Sequence, residues 1–124
     1  MRDLHFPGRS VVMSTGAMVS TSQPMATATA LDVLRSGGNA MDAAVAASAT
    51  LAVTEPQSTG IGGDCFLLYH EASTGQLHGL NGSGRSPAAA TLERYQAKGY
   101  TEAPAQGLYA ATVPGSLHAW EKAV

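Results

Sequence analysis

A mixed fold of helices and strands, α/β (α+β) in class, is predicted by three features of the sequence. Residues 39–53 open on a helix cap and run almost wholly apolar. Gly60, Gly62 and Gly63 then crowd into one short loop, and residues 65–70 and 76–80 read as strands on either side of a turn. A helix that shows no polar face needs cover all round, so the predicted sheet and helices must pack on it.

Taken in order, Pro7 and Gly8 mark a turn, and Val11 to Met13 reads as a short edge strand. Ala17 to Ser20 is a second short apolar piece. Ser22 is positioned to cap a helix that has Pro24 in its first turn, where proline loses no needed hydrogen bond. Ala28, Leu31 and Leu34 recur at helical spacing until Gly37 and Gly38 end the helix. Asn39 then offers its side-chain oxygen to the free amides of the next helix. Asp42 reaches back to the Asn39 amide, as in a capping box.

Pro56 stops that second helix, and the glycines at 60, 62 and 63 form a tight entry into a strand. Phosphate-cradling loops follow a strand and open a helix; here the order is reversed, and neither GxGxxG nor a Walker lysine is present. Cys65 to His70 and Gln76 to Leu80 make a hairpin around Ser73-Thr74-Gly75. With the turn centred on Thr74, His70 faces His78 and Leu68 faces Leu80. Asn81, Gly82, Ser83, Gly84 and Pro87 forbid regular structure. Thr91 caps a short helix to Lys98, with Leu92 and Tyr95 inward and Gly99 as its stop. Leu108 to Val113 reads as a strand, and Pro114 starts a helix with Leu117, Trp120 and Val124 on one face.

Composition excludes several function classes. The net charge is −2, charged residues are 13%, and no run of lysine and arginine occurs, so neither nucleic acid nor an anionic membrane is the expected partner. A small molecule is. The apolar helix is well short of the roughly 20 residues that cross a bilayer, and no signal peptide is legible at the start. The single Cys65 cannot form an internal disulfide, which suits a reducing compartment, and with no legible signal peptide the expected location is the cytoplasm, a periplasmic or secreted one being the alternative.

Few residues carry chemistry. Two facing histidines without a carboxylate or thiolate make a poor metal site, so His70 and His78 read as a hairpin end in water. Cys65 has no histidine placed beside it and reads as a packing residue. No cofactor or metal is expected. Arg85 is the most ligand-like residue, because a guanidinium on a glycine-rich loop presents its planar fork to a carboxylate. An arginine paired with a nearby acid, or left in solvent, is the bland alternative.

The motifs GGNAMDAAVAASATLAVTEPQSTGIGGDCFLL, NGSGRSPAAAT and ATVPGSLHAW, in that order, resemble the opening part of gamma-glutamyltranspeptidases and their cephalosporin-acylase-like and oxamate-amidohydrolase-like relatives. The resemblance implies an N-terminal-nucleophile (Ntn) hydrolase with an αββα four-layer sandwich. It implies a precursor that cuts itself into a large and a small subunit, the new N-terminal threonine of the small subunit being the nucleophile and its own amino group the base. Residues 1–124 then correspond to the N-terminal portion of the large subunit, with no catalytic residue of their own and the remainder of the precursor as partner.

The resemblance also bears on the substrate site. Members that act on glutathione grip the α-carboxylate of the γ-glutamyl group with an arginine four residues before the proline of an R-E-x-A-P motif. Aligned on Pro87, that position is Ser83, while Arg85 falls two residues later. Ser83 and Arg85 are therefore the expected substrate-binding residues. Either Arg85 swings in, helped by Gly82 and Gly84, or the substrate is a related small amide other than a γ-glutamyl one. GSGR-type loops look closer to the amidohydrolases and acylases. Two other classes compete: a stand-alone, non-catalytic binding domain, and a metal or redox protein built on Cys65 and the four histidines.

Overall fold

The computed structural model describes residues 11–124. The turn expected at Pro7 and Gly8 lies outside the described residues. Val11 to Met13 is exposed and pairs with no strand among the described residues, so the expected edge strand is not seen there. Three apolar residues cannot hold a strand without a neighbour to take their amides.

Helix α1 (Pro24–Arg35) and helix α2 (Ala40–Thr54) form an antiparallel hairpin. The joint between them is as expected. Gly37, at φ +96°, and Gly38 send their amides back to the carbonyls of Leu34 and Val33, closing the end of α1. Asn39 Oδ1 then accepts from the amides of Met41 and Asp42, and Asp42 Oδ2 accepts from the Asn39 amide at 2.8 Å. At the other end of α1 the cap is Gln23, not Ser22: the Gln23 side chain accepts from Met25, while Ser22 Oγ donates to Glu55 Oε2 at 2.6 Å. Ser22 is drawn off because the end of α2 brings a carboxylate, a stronger acceptor than any backbone group in reach.

Alanines make the core. Ala26 and Ala30 of α1 are buried against Ala43 and Ala47 of α2, flanked by half-buried Val19, Val33, Leu34 and Leu51. Methyl-sized side chains let the two backbones approach closely, which gains dispersion contacts along the seam. The rest of α2 is not fully covered: Val53, near its C-terminal end, is 79% exposed.

Strands β1 (Cys65–Glu71) and β2 (Gln76–Gly82) form an antiparallel two-stranded sheet. The register differs by one residue from the expected one. Tyr69 pairs with His78, Leu67 with Leu80 and His70 with Leu77. The reason is the loop, which holds four residues, Ala72 to Gly75, closed by the Gly75 amide on the Glu71 carbonyl with Gly75 at φ +70°. Including Ala72 moves every partner by one position. His70 and His78 consequently lie on opposite faces, with His78 stacked on Tyr69.

Helix α3 (Leu92–Gln96) is capped by Thr91 and stopped at Gly99, as expected, but Leu92 is exposed. Only Tyr95 turns inward, because its hydroxyl donates to the Tyr109 carbonyl at 2.6 Å. That bond also explains why Leu108 to Val113 is not a strand: Gly107 turns at φ +86°, and the Tyr109 carbonyl is taken by a side chain instead of a neighbouring strand. Helix α4 (Ser116–Ala123) lies against β1 and β2 and touches α2. Its buried residues are Ser116 and Ala119, whereas Leu117 and Val124 are exposed and Trp120 is half-buried. Small residues win that face because the Ala119 methyl presses on Gly82, a distance at which leucine does not fit.

Candidate functional site

Three loops that are far apart in sequence meet at one place. The glycine loop ends in Gly63 and Asp64, the Ser83 to Arg85 loop leaves the Asn81-Gly82 end of β2, where irregular structure was expected, and Thr112 to Gly115 enters α4. The Gly63 carbonyl accepts from the amides of Gly115 and Ser116, at 3.1 and 3.0 Å. Asp64 Oδ1 accepts from the Gly84 amide at 2.7 Å and lies 3.5 Å from Thr112 Oγ1. The Val113 amide donates to the Arg85 carbonyl at 2.9 Å. Asn81 Oδ1 takes the Ser83 amide at 2.9 Å, an Asx turn that starts the loop.

The glycines in these loops serve close approach. A methyl on Gly84 would run into the Val113 carbonyl and the Thr112 side chain, and one on Gly115 into the Gly82 carbonyl and the Gly84 amide. A methyl on Gly82 would meet Ala119 and the Cys65 carbonyl. Gly82 and Gly84 are thus closely packed, and the Gly84 amide and the Arg85 carbonyl are tied to Asp64 and Val113. The Arg85 side chain itself is exposed.

Ser83 and Arg85 are both on this loop, both exposed, and neither side chain makes a hydrogen bond or ion pair among the described residues. The expected Ser83 and Arg85 are thus brought to one rim, with backbone fixed and side-chain ends open. Asp64, Thr112 and Val113 had not been singled out by the sequence. An aspartate directly after a glycine pair, at the mouth of a strand, was the one available signal.

Next to the rim, beginning at Ser86, is an open cavity of about 640 Å³ lined by Thr91, Tyr95, Tyr100 and Glu102 among others. Tyr95 and Tyr100 of its wall form one aromatic cluster with Tyr109 behind them, the ring centroids 5.7 to 6.0 Å apart. Lys98 Nζ sits 5.2 Å from the Tyr109 ring centroid, and hydrogen bonding to Lys98 holds the Tyr109 hydroxyl below its usual pKa of 10.0. The positive charge there is already engaged.

No group of three metal-ligating side chains converges among the described residues. The one basis for a histidine pair is removed by the register: His78 Nε2 approaches Glu71 Oε2 at 3.7 Å instead of facing His70. Cys65 is a free thiol, half-buried at the start of β1. No helix of the described residues is long and apolar enough to cross a membrane.

The loops that meet here are the ones that carry the family resemblance, and comparison with known proteins decides what they belong to. A family model described as gamma-glutamyltranspeptidase matches residues 26–124. The chain belongs to the gamma-glutamyltranspeptidase family. The glutathione hydrolase-like YwrD proenzyme of Bacillus subtilis is 42% identical over 111 residues, covering 89% of this chain and 21% of that protein. The oxamate amidohydrolase proenzyme of Klebsiella pneumoniae is 38% identical over 113 residues, with 90% and 21% covered. The crystal structure of cephalosporin acylase from Bacillus halodurans matches with a TM-score of 0.77 at 43% identity, over 94% of this chain and 23% of that one.

The mixed helix-and-strand structure is thus a piece of the gamma-glutamyltranspeptidase-family fold, and the Bacillus and Klebsiella relatives are both described as proenzymes. The chain spans about a fifth of the length of the curated relatives it matches. This family membership displaces the metal or redox reading of Cys65 and the histidines.

Proposed function

We propose that this chain is the N-terminal portion of the large subunit of a self-processing amidohydrolase or acyltransferase. In this reading the nucleophile is a threonine further along the precursor, freed at its amino group by self-cleavage and attacking a γ-glutamyl or related small amide to give an acyl-enzyme. The segment described here binds substrate and performs no bond-breaking step itself. Arg85 receives a carboxylate of the substrate through its planar fork, and the Ser83 hydroxyl adds a hydrogen bond at the neighbouring position.

One observation carries the reading: the Arg85 backbone is held by a hydrogen bond from Val113 and the adjoining Gly84 by Asp64, while the guanidinium itself is exposed and makes no ion pair among the described residues. A cation fixed at its root and open at its end is suited to an anionic ligand. Ser83 in place of the glutathione-gripping arginine, together with relatives named for oxamate and cephalosporin chemistry, supports a small amide outside the γ-glutamyl class.

The remainder of the precursor is the partner. Phe66, Leu68 and Leu77 lie on the outer face of the hairpin at 67%, 78% and 67% exposure, and such a continuous apolar face calls for cover. The half-buried free thiol of Cys65 suits a cytoplasmic setting.

The test is an intact mass with N-terminal sequencing of the protein purified from the complete gene without added protease. Two chains, the smaller beginning with threonine, are expected. A single uncut chain that hydrolyses no amide overturns the reading. With the processed enzyme, Arg85→Ala is expected to raise KM for a carboxylate-bearing amide by on the order of tenfold or more, the loss of a charge-assisted pair.

A further inference from the structure

We infer that Asp64 is a positioning residue for Arg85: its carboxylate holds the Gly84 amide and so aims the guanidinium at the substrate's carboxylate. The inference rests on the proposed role of Arg85 and adds to it a residue on a different loop. Asp64 Oδ1 takes the Gly84 N–H at 2.7 Å, a short bond from the residue directly before Arg85. On the other side of Arg85, its carbonyl takes the Val113 N–H at 2.9 Å. The arginine's α-carbon is thus fixed from both flanks, by a carboxylate before it and an amide after it.

The two ties are linked. Thr112 Oγ1 lies 3.5 Å from the same Asp64 oxygen, and the Thr112 side chain and Val113 carbonyl occupy the space a Gly84 side chain would need. Asp64 therefore fastens the Arg85 loop to the segment that leads into α4. A side chain with four rotatable bonds searches a wide volume unless its root is fixed, so removing one flank displaces and spreads the guanidinium positions. Asp64 lies outside the binding contacts themselves. Its carboxylate accepts from the protein's own backbone, and that is the reason its loss is read through Arg85.

The experiment is a double-mutant cycle on the full-length, self-processed enzyme with a pair of amide substrates, one bearing a carboxylate and its counterpart bearing a carboxamide there. Asp64→Ala is expected to raise KM for the carboxylate substrate by on the order of tenfold, to leave kcat nearly unchanged, and to spare the carboxamide substrate. In the Arg85→Ala background the same change is expected to add nothing further. Asp64→Asn keeps an acceptor oxygen for the Gly84 amide and is expected to restore most of the wild-type KM. If Asp64→Ala does not mature, Asp64→Ser, whose hydroxyl is too short to span to Gly84, runs the same cycle.

Equal losses on both substrates, or losses that add to those of Arg85→Ala, overturn the positioning role alone. An unchanged KM for the carboxylate substrate in Arg85→Ala overturns the reading of Arg85, and the positioning role with it.

Discussion

The carbonyl of Gly63 caps the first turn of α4, accepting from the amides of Gly115 at 3.1 Å and Ser116 at 3.0 Å. Helix α4 has no side-chain cap, so this single backbone oxygen satisfies donors that water or a serine would otherwise take. It also sets how close the glycine loop and the Arg85 loop come to each other.

That closeness predicts a graded response to adding one methyl. Gly115→Ala and Gly84→Ala each place it against backbone and are expected to destabilise by about 1–3 kcal/mol. Gly60→Ala meets nothing within 4 Å and is expected to change stability by less than about 0.5 kcal/mol. Denaturant midpoints of the three variants, at unchanged m-value, check the ranking.

The joint between α1 and α2 predicts a second effect. Asn39→Ala removes an oxygen shared by two first-turn amides and is expected to cost about 1 kcal/mol. Hydrogen exchange at the amides of Met41 and Asp42 is expected to accelerate, while amides in the middle of α2 keep their relative protection.

Glu71 predicts a pH effect on the hairpin. Hydrogen bonds from Thr74 first, then Ser73, hold its carboxyl below the ordinary 4.5, with the nearby His78 adding to the shift. Because the folded pKa is depressed, this contribution to stability is present above 4.5 and is lost as pH falls through the lower, folded value. Thr74→Val is expected to raise the Glu71 titration midpoint toward the ordinary one, followed by carboxyl carbon shifts.

Ser116 predicts an unusual tolerance. Its hydroxyl is fully buried and has no hydrogen-bond partner among the described residues. Ser116→Ala is therefore expected to leave thermal stability unchanged or to raise it by up to about 2 kcal/mol, since an unsatisfied buried hydroxyl costs that order. A loss on the same scale means the remainder of the precursor supplies the missing partner.

How much was legible in the sequence follows from how local each signal is. The end of α1 and the start of α2 could be read because Gly37, Asn39 and Asp42 bond to backbone groups within four residues of themselves. The sheet could be read, but its register could not, since Ala72 has nothing that marks it as loop instead of strand. The false strand at Leu108 to Val113 failed on a contact from Tyr95, which no spacing near Tyr109 announces. Arg85 stood out as an arginine on a glycine-rich loop, and Ser83 through the family resemblance alone. Asp64 did not, because its meaning lies in the Gly84 amide it meets only after folding.

The ties on Arg85 also impose an order in time. A ribosome makes Arg85 well before it makes Val113, Gly115 and Ser116, and at about 5–20 residues per second the gap is on the order of seconds. During that gap the arginine loop has Asp64 behind it but neither Val113 nor α4 in front. The newborn chain thus passes through an interval in which the Arg85 loop lacks its second tie.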